Sequence, residues 1–197
     1  MKLSIVIPCR NEVTHIEECL TAIFASEGIS NFETNVFVVD GQSDDGTRAL
    51  IQKLAALNSR LHLLDNPSLT TPNAFNIGIN QRDFDYLLIV GARHILSSNY
   101  IAKCIEVLKS NENIWCVGGS LINQFTNSES EIISKAMSCS FGMGLGNFRT
   151  LSKSAYTDTV TSPMYPKKVF ETVGLFDAQL TRNQDDDFNF RVLKAGG

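Results

Sequence analysis

Between Val36 and Thr47 the chain switches abruptly from the β-branched and aromatic run VFVV to the polar, glycine-punctuated loop DGQSDDGT. The run predicts a buried strand that ends on Asp40. A helical pattern begins at Arg48. Strand, loop and helix in that order place Asp40 at the carboxyl end of a strand, where open α/β sheets bind their ligands. An ionised carboxylate only accepts hydrogen bonds, so Asp40 suits an N–H donor such as the imide of a uracil ring. Asp and Gly also favour ordinary strand-to-helix turns, so a purely structural reading of the same residues stays open.

The arrangement recurs twice. Leu3–Ile7 is a short apolar run that Pro8 is expected to close, because proline cannot donate to a ladder. Cys9, Arg10, Asn11 and Glu12 follow, offering a cation, an amide and a carboxylate at the same sheet edge. A third run, Tyr86–Val90, ends on Gly91, Ala92, Arg93 and His94. Three buried strands ending in polar loops, with helical patterns between them, predict a parallel βαβ sheet.

Other phosphate and metal motifs fail on spacing. No GxxxxGK[ST] follows a strand, and PCRNE stands where a Rossmann fingerprint needs GxGxxG. Read as a calcium loop from Asp40, the sequence has Asp45 at the position that needs glycine and Ile51 at the one that needs glutamate. No HExxH or paired Cys and His spacing suggests zinc.

A length of 197 residues allows one α/β domain with a sizeable core. The net charge of −4, with no basic block, argues against nucleic acid as a partner. A negatively charged chain that binds an anion must supply positive potential locally, which draws attention to Arg10 and Arg93. Cys9, Cys19, Cys104, Cys116 and Cys139 are odd in number and scattered, as expected of reduced thiols packed in the core of a cytoplasmic protein. The N-terminal apolar run is too short for a signal peptide, and no stretch approaches the ~18 apolar residues of a membrane span.

Helices are predicted over Thr14–Ser26, Thr47–Asn58, Pro72–Gln81 and Ser98–Asn111, the first opened by a Thr14/Glu17 capping box and the fourth by Ser98. Leu61–Leu64 and Trp115–Val117 read as short strands, with His62 on a strand face. Beyond Ser120 the polar stretch 123–131 precedes a possible helix at Ile132–Ser140. The glycine-rich Phe141–Asn147 reads as a loop, Tyr156–Pro166 as extended and Lys167–Val173 as a short helix. Asn183–Asp187 opens a last helix, Asp187–Ala195, which Gly196 and Gly197 stop. There is no internal repeat or low-complexity tract.

The segments SIVIPCRNE, VVDGQSDDGT, FGMGLGNFRT and GLFDAQLTRNQDDDFNFRVLKAGG, in that order, resemble family 2 glycosyltransferases of the GT-A fold. Within that family the chain is most similar to bacterial exopolysaccharide enzymes of the succinoglycan type. The resemblance implies a mostly parallel central sheet with helices on both faces. It implies one domain over 1–197, with a nucleotide-binding half (1–119) and an acceptor-binding half (120–197). The implied activity is inverting transfer of a sugar from a nucleotide-diphospho-sugar, UDP favoured, to a saccharide or lipid-linked acceptor in surface polysaccharide synthesis. Carried over residue by residue, Pro8, Arg10, Asn11 and Glu12 surround the nucleotide, and Asp40 takes the base. Ser43 and Asp45 shape the loop, while Gly91, Ala92 and Arg93 lie at the diphosphate. Asp185 is the catalytic base, with Gln184 and Asp186 on the acceptor side.

The sequence departs from the family in three places. Relatives hold Mg²⁺ or Mn²⁺ with an Asp-x-Asp or Asp-x-His triplet, whereas Gly91-Ala92-Arg93 offers a hard cation no side-chain oxygen. A metal is therefore doubtful, no metal ligand is assigned, and His94 is expected to face solvent. Phe75 stands where many relatives carry a basic residue before the Asn-x-Gly matched by Asn76-Ile77-Gly78. The end at Gly197 is abrupt where relatives continue, often with an amphipathic or membrane-spanning part, so a cytoplasmic domain of a longer parent, with or without membrane association, is the expectation. A sugar-nucleotide binder or fragment with impaired catalysis is the alternative these departures leave open.

Overall fold

The computed structural model describes residues 1–124, 128–137, 154–157 and 159–197. The glycine-rich segment FGMGLGNFRT, Cys139 and the end of the helix expected up to Ser140 lie outside the described residues.

Four strands, β1 (Lys2–Cys9), β2 (Glu33–Asp40), β3 (Leu61–Asp65) and β4 (Tyr86–Ile89), pair in parallel. With β5 (Val117–Gly119) and β6 (Thr161–Pro166) they form one six-stranded sheet in the order β3-β2-β1-β4-β6-β5. β6 runs antiparallel to both β4 and β5. The sheet is mostly parallel, and its order reverses between β1 and β4. In sheets of this kind that switch point opens a crevice beyond the strand ends.

Side chains alternate across the sheet with the two-residue period of a strand. Leu3, Ile5 and Ile7 of β1 join a core built with α1 (Ile16–Phe24), α2 (Thr47–Leu57) and α4 (Tyr100–Ser110). Val6, Phe37 and Val39 face the opposite core, against α3 (Thr71–Ile79), α6 (Lys167–Val173) and α7 (Gln184–Lys194). An unbroken apolar run is what a strand needs when helices cover both of its faces. α5 spans Ser128–Met137. Among the described residues no helix is long and apolar enough to cross a membrane.

The Asn76-Ile77-Gly78 motif is a packing device. A Cβ on Gly78 would lie 2.5 Å from a Val6 methyl, so only glycine lets α3 press this closely on β1. Asn76 exchanges side-chain hydrogen bonds with the backbone of Phe176, donating to its carbonyl (2.8 Å) and accepting from its N–H (3.0 Å). That clamp ties α3 to the segment ahead of α7.

Several boundaries differ from the sequence expectation for local reasons. β1 runs through Pro8 to Cys9, because its pairing with β4 has already ended at Val6 and the missing proline N–H breaks no ladder on that side. The Thr14/Glu17 capping box does not form. α1 starts at Ile16, and the N–H groups of His15 and Ile16 donate to the Glu12 carbonyl, while Thr14 turns its hydroxyl to His15. Ser98 does not cap α4 either, since its hydroxyl donates to Glu27. His62 does lie on a strand face, hydrogen-bonded to Asn35 and stacked on Phe37.

Candidate active site at the sheet switch point

The loops after β1 and β2 are stitched into one unit. The Asn11 N–H donates to Ser43 Oγ (2.8 Å), and Asn11 and Asp44 exchange a reciprocal pair of hydrogen bonds. Asp45 accepts from the Val13 N–H and from both the N–H and the hydroxyl of Thr47, whose hydroxyl oxygen in turn accepts from the Glu12 N–H. The Thr47 hydroxyl, above all, holds the Asp45 carboxyl below the ordinary carboxylate range. Ser43 and Asp45 thus lock the two loops together, and Asn11 enters the lattice with a left-handed backbone (φ 54°). Arg10 lies exposed beside Gly41.

Asp40 takes a different part from the one its position suggested. It is completely buried, and its carboxylate accepts from the Ser43 N–H (3.1 Å), the Ser43 hydroxyl (2.5 Å) and Arg48 Nη1 (2.9 Å). Arg48 also bridges to Asp65 at 2.7 Å, joining the carboxyl ends of β2 and β3. With these donors on its two oxygens and no solvent face, the carboxylate is committed to the loop and is not an open acceptor for a base. Nearby, Asn66 donates its N–H to the Asp40 carbonyl, and Asn66 Oδ1 is buried without a hydrogen-bond partner among the described residues.

Across the switch point, the turn after β4 brings Arg93 to Glu12. Arg93 Nε donates to both Glu12 oxygens, at 2.9 and 2.8 Å, and His15 shares the same carboxylate at 3.2 Å. Ala92, expected against the nucleotide, turns instead into the core. His94 does not face solvent: Nδ1 lies 2.9 Å from the Ser162 hydroxyl, and the ring packs over Gly91, where a Cβ would meet it at 3.2 Å. Ser162 is itself buried with φ 45°, a strained backbone for a non-glycine residue.

Beside these loops lies a cleft of about 210 Å³, lined from among them by Pro8, Gly91, His94 and Ser162 but not by Arg10, Asn11, Glu12, Asp40, Ser43, Asp45 or Arg93. Pro8, Ile89 and Gly91 form its floor at the strand ends, and Phe75, Phe176 and Tyr165 make an apolar wall. His94 and Ser162 stand on one side, with Gln184, Asp185 and Asn189 of α7 on the other. Asp185 sits in the first turn of α7, where the helix dipole favours a negative charge, and its carboxylate makes no hydrogen bond to any described residue. Asn189, one turn along on the same face, accepts from the Tyr165 hydroxyl (3.1 Å) and donates to Thr159 (3.4 Å), fixing the helix over the cleft.

The neighbouring carboxylates divide the work. Asp187 pairs with Arg191, which also donates to the Val173 and Leu175 carbonyls and so pins α7 to the preceding turn. Asp186, expected on the acceptor side, is exposed and outside the cleft lining, and partial burial followed by the Asp185 charge raises its pKa. Cys9 packs beneath the site, with burial pushing its thiol up to about 12, so it is no nucleophile.

The residues at the end of β4 do not fit a divalent metal. Gly91 has no side chain, Ala92 points into the core and Arg93 is a cation, whereas a hard ion wants several oxygen ligands. Among the described residues no three His, Cys, Asp or Glu side chains cluster suitably. Ser162 and Phe176 were not legible as site residues, whereas His94 was signalled by its place in the loop after the third strand and Asn189 by its helical i+4 spacing from Asp185.

A family model described as Glycosyl transferase family 2 matches residues 4–174. The chain is 27% identical over 195 residues to the succinoglycan biosynthesis protein ExoA of Rhizobium meliloti (strain 1021), covering 98% of the chain and 58% of that protein. It is 28% identical over 201 residues to a dolichyl N-acetyl-α-D-glucosaminyl phosphate 3-β-D-2,3-diacetamido-2,3-dideoxy-β-D-glucuronosyltransferase of Methanococcus voltae, covering 98% and 62%. The chain thus spans about three fifths of these curated relatives. Among solved structures it superposes on the mannosyltransferase PcManGT of Pyrobaculum calidifontis, in complex with GDP-Man and Mn²⁺ (TM-score 0.72, 17% identity, 99% of this chain and 52% of that one). It also superposes on S. aureus TarS 1–349 in complex with UDP-GlcNAc (TM-score 0.69, 15% identity, 99% and 54%). These likenesses show the GT-A fold.

Proposed function

This chain belongs to glycosyl transferase family 2, and we propose that it moves a sugar, with inversion, from a nucleotide-diphospho-sugar to a saccharide or lipid-linked acceptor in surface polysaccharide synthesis. The observation that carries the reading is the cleft itself, where Asp185 meets Pro8 and Gly91 at the switch point between β1 and β4. An open carboxylate in the cleft at the strand ends supports a general-base role for Asp185.

In the proposed reaction Asp185 accepts the proton of an acceptor hydroxyl as that oxygen bonds to the anomeric carbon. The bond from that carbon to the diphosphate oxygen breaks on the opposite face, and the nucleoside diphosphate leaves with the electron pair. The Asn189–Tyr165 hydrogen bond holds Asp185's helix in place, and the stitched loops after β1 and β2 form the nucleotide's bed. Because Asp40 is committed internally, the sequence argument for a uracil base falls away, and UDP-, GDP- and dTDP-sugars compete on equal terms. Relatives named as transferases favour turnover over an impaired binder.

The test is a transfer assay with a panel of nucleotide-sugars and saccharide acceptors, reading the product's anomeric configuration by NMR. An inverted product that disappears in Asp185→Asn supports the reading. A product that keeps the donor's configuration would refute inversion.

A further inference from the structure

At the end of β4 an imidazole ring and a cation fill the turn. The ring of His94 lies 3.2–3.3 Å from where a Gly91 Cβ would be, and it is tied to Ser162. A carboxylate at position 91 would have to displace it. In the same turn a cation is fixed: Arg93 Nε is held by both oxygens of Glu12. Glu12 comes from the loop after β1 and Arg93 from the turn after β4, so the pair bridges the two loops of the switch point, next in sequence to Gly91 and His94, which line the cleft.

We infer that Arg93, steered by Glu12, supplies the positive charge for the donor's diphosphate, so that this site works without a divalent metal. The inference rests on the transferase reading above. The Glu12 bond uses only Nε, which leaves the Nη1 and Nη2 donors for phosphate oxygens in the forked geometry that guanidinium provides. The Glu12 carboxylate is already paired with Arg93, and His15 Nδ1 stands 3.2 Å from it. Arg48, by contrast, has its charge balanced by two carboxylates, its Nη1 lying 2.9 Å from Asp40 and 2.7 Å from Asp65. As the glycosidic bond breaks, negative charge grows on the diphosphate, and a cation already in position stabilises it without reorganisation. Arg93 is 68% exposed at its side chain, as a group awaiting a ligand should be, and its removal leaves the core untouched.

The test is calorimetric titration of the chain with UDP, GDP and dTDP, in EDTA and in Mn²⁺, for the parent, Arg93→Ala and Arg93→Lys. The inference predicts that a nucleoside diphosphate binds in EDTA within about threefold of its affinity in Mn²⁺. It predicts that Arg93→Ala weakens binding by about tenfold or more at an unchanged melting temperature. Arg93→Lys should recover part of that loss, because it keeps the charge without the fork. Strict dependence on Mn²⁺, or parental affinity in Arg93→Ala, would overturn this inference and leave the transferase reading standing. Failure of all three nucleotides to bind the parent would overturn both.

Discussion

Replacing Asp40 with Asn separates its two readings. The substitution is nearly isosteric and keeps one acceptor for the Ser43 hydroxyl, but it puts an NH₂ where Oδ2 receives the Ser43 N–H and Arg48 Nη1. A hydrogen bond to a charged group is worth roughly 1.5–3 kcal/mol, and a buried donor left facing another donor costs about 1–3 more. Arg48 is one-third exposed and keeps Asp65, so water and the second carboxylate relieve part of the loss. The balance is about 2–3 kcal/mol, or a fall in Tm of roughly 5–10 °C for a domain of this size. Urea unfolding and scanning calorimetry read it directly. The cycle with Arg48→Met should show a coupling of about 1 kcal/mol or more. Parental stability combined with sharply weakened nucleotide affinity would refute the reasoning and return Asp40 to the base.

Asp185→Asn should lower transfer by about 10²–10⁴-fold while nucleotide affinity, measured by calorimetry, stays within about threefold. Gly78→Ala should destabilise the fold by about 1–2 kcal/mol in urea unfolding, because overpacking against stiff Val6 outweighs the ~1 kcal/mol that alanine gains in a helix. Asp45 has a lowered carboxyl pKa in the fold, so its stabilisation is fully present above its unfolded value and is lost as pH falls through the lowered one. The stability gap between the parent and Asp45→Asn should therefore close as pH drops below about 4, as followed by acid titration of the melting temperature.

The four parallel strands were legible because helices cover both faces of the sheet, which forces continuous β-branched runs ending in polar loops. The strand-end positions of Pro8 and Gly91 followed from that pattern. β6 was readable only as an extended stretch, since its antiparallel insertion between β4 and β5 depends on pairings far apart in sequence. The same distance hid the contact of His94 with Ser162 and the clamp of Asn76 on Phe176. A carboxylate at a strand end such as Asp40 looks the same in sequence whether it faces a ligand or an arginine eight residues on, so its bonds to Ser43 and Arg48 were not legible.

The central claim is that the loops after β1, β2 and β4 and the start of α7 form one donor site. Hydrogen exchange, with and without a nucleotide-sugar that raises the melting temperature, tests it most directly. The account predicts slowed exchange in residues 8–13, 41–47, 90–94 and 184–189 together, with α4 unchanged. Protection confined to other segments, or absent from 184–189, would contradict it.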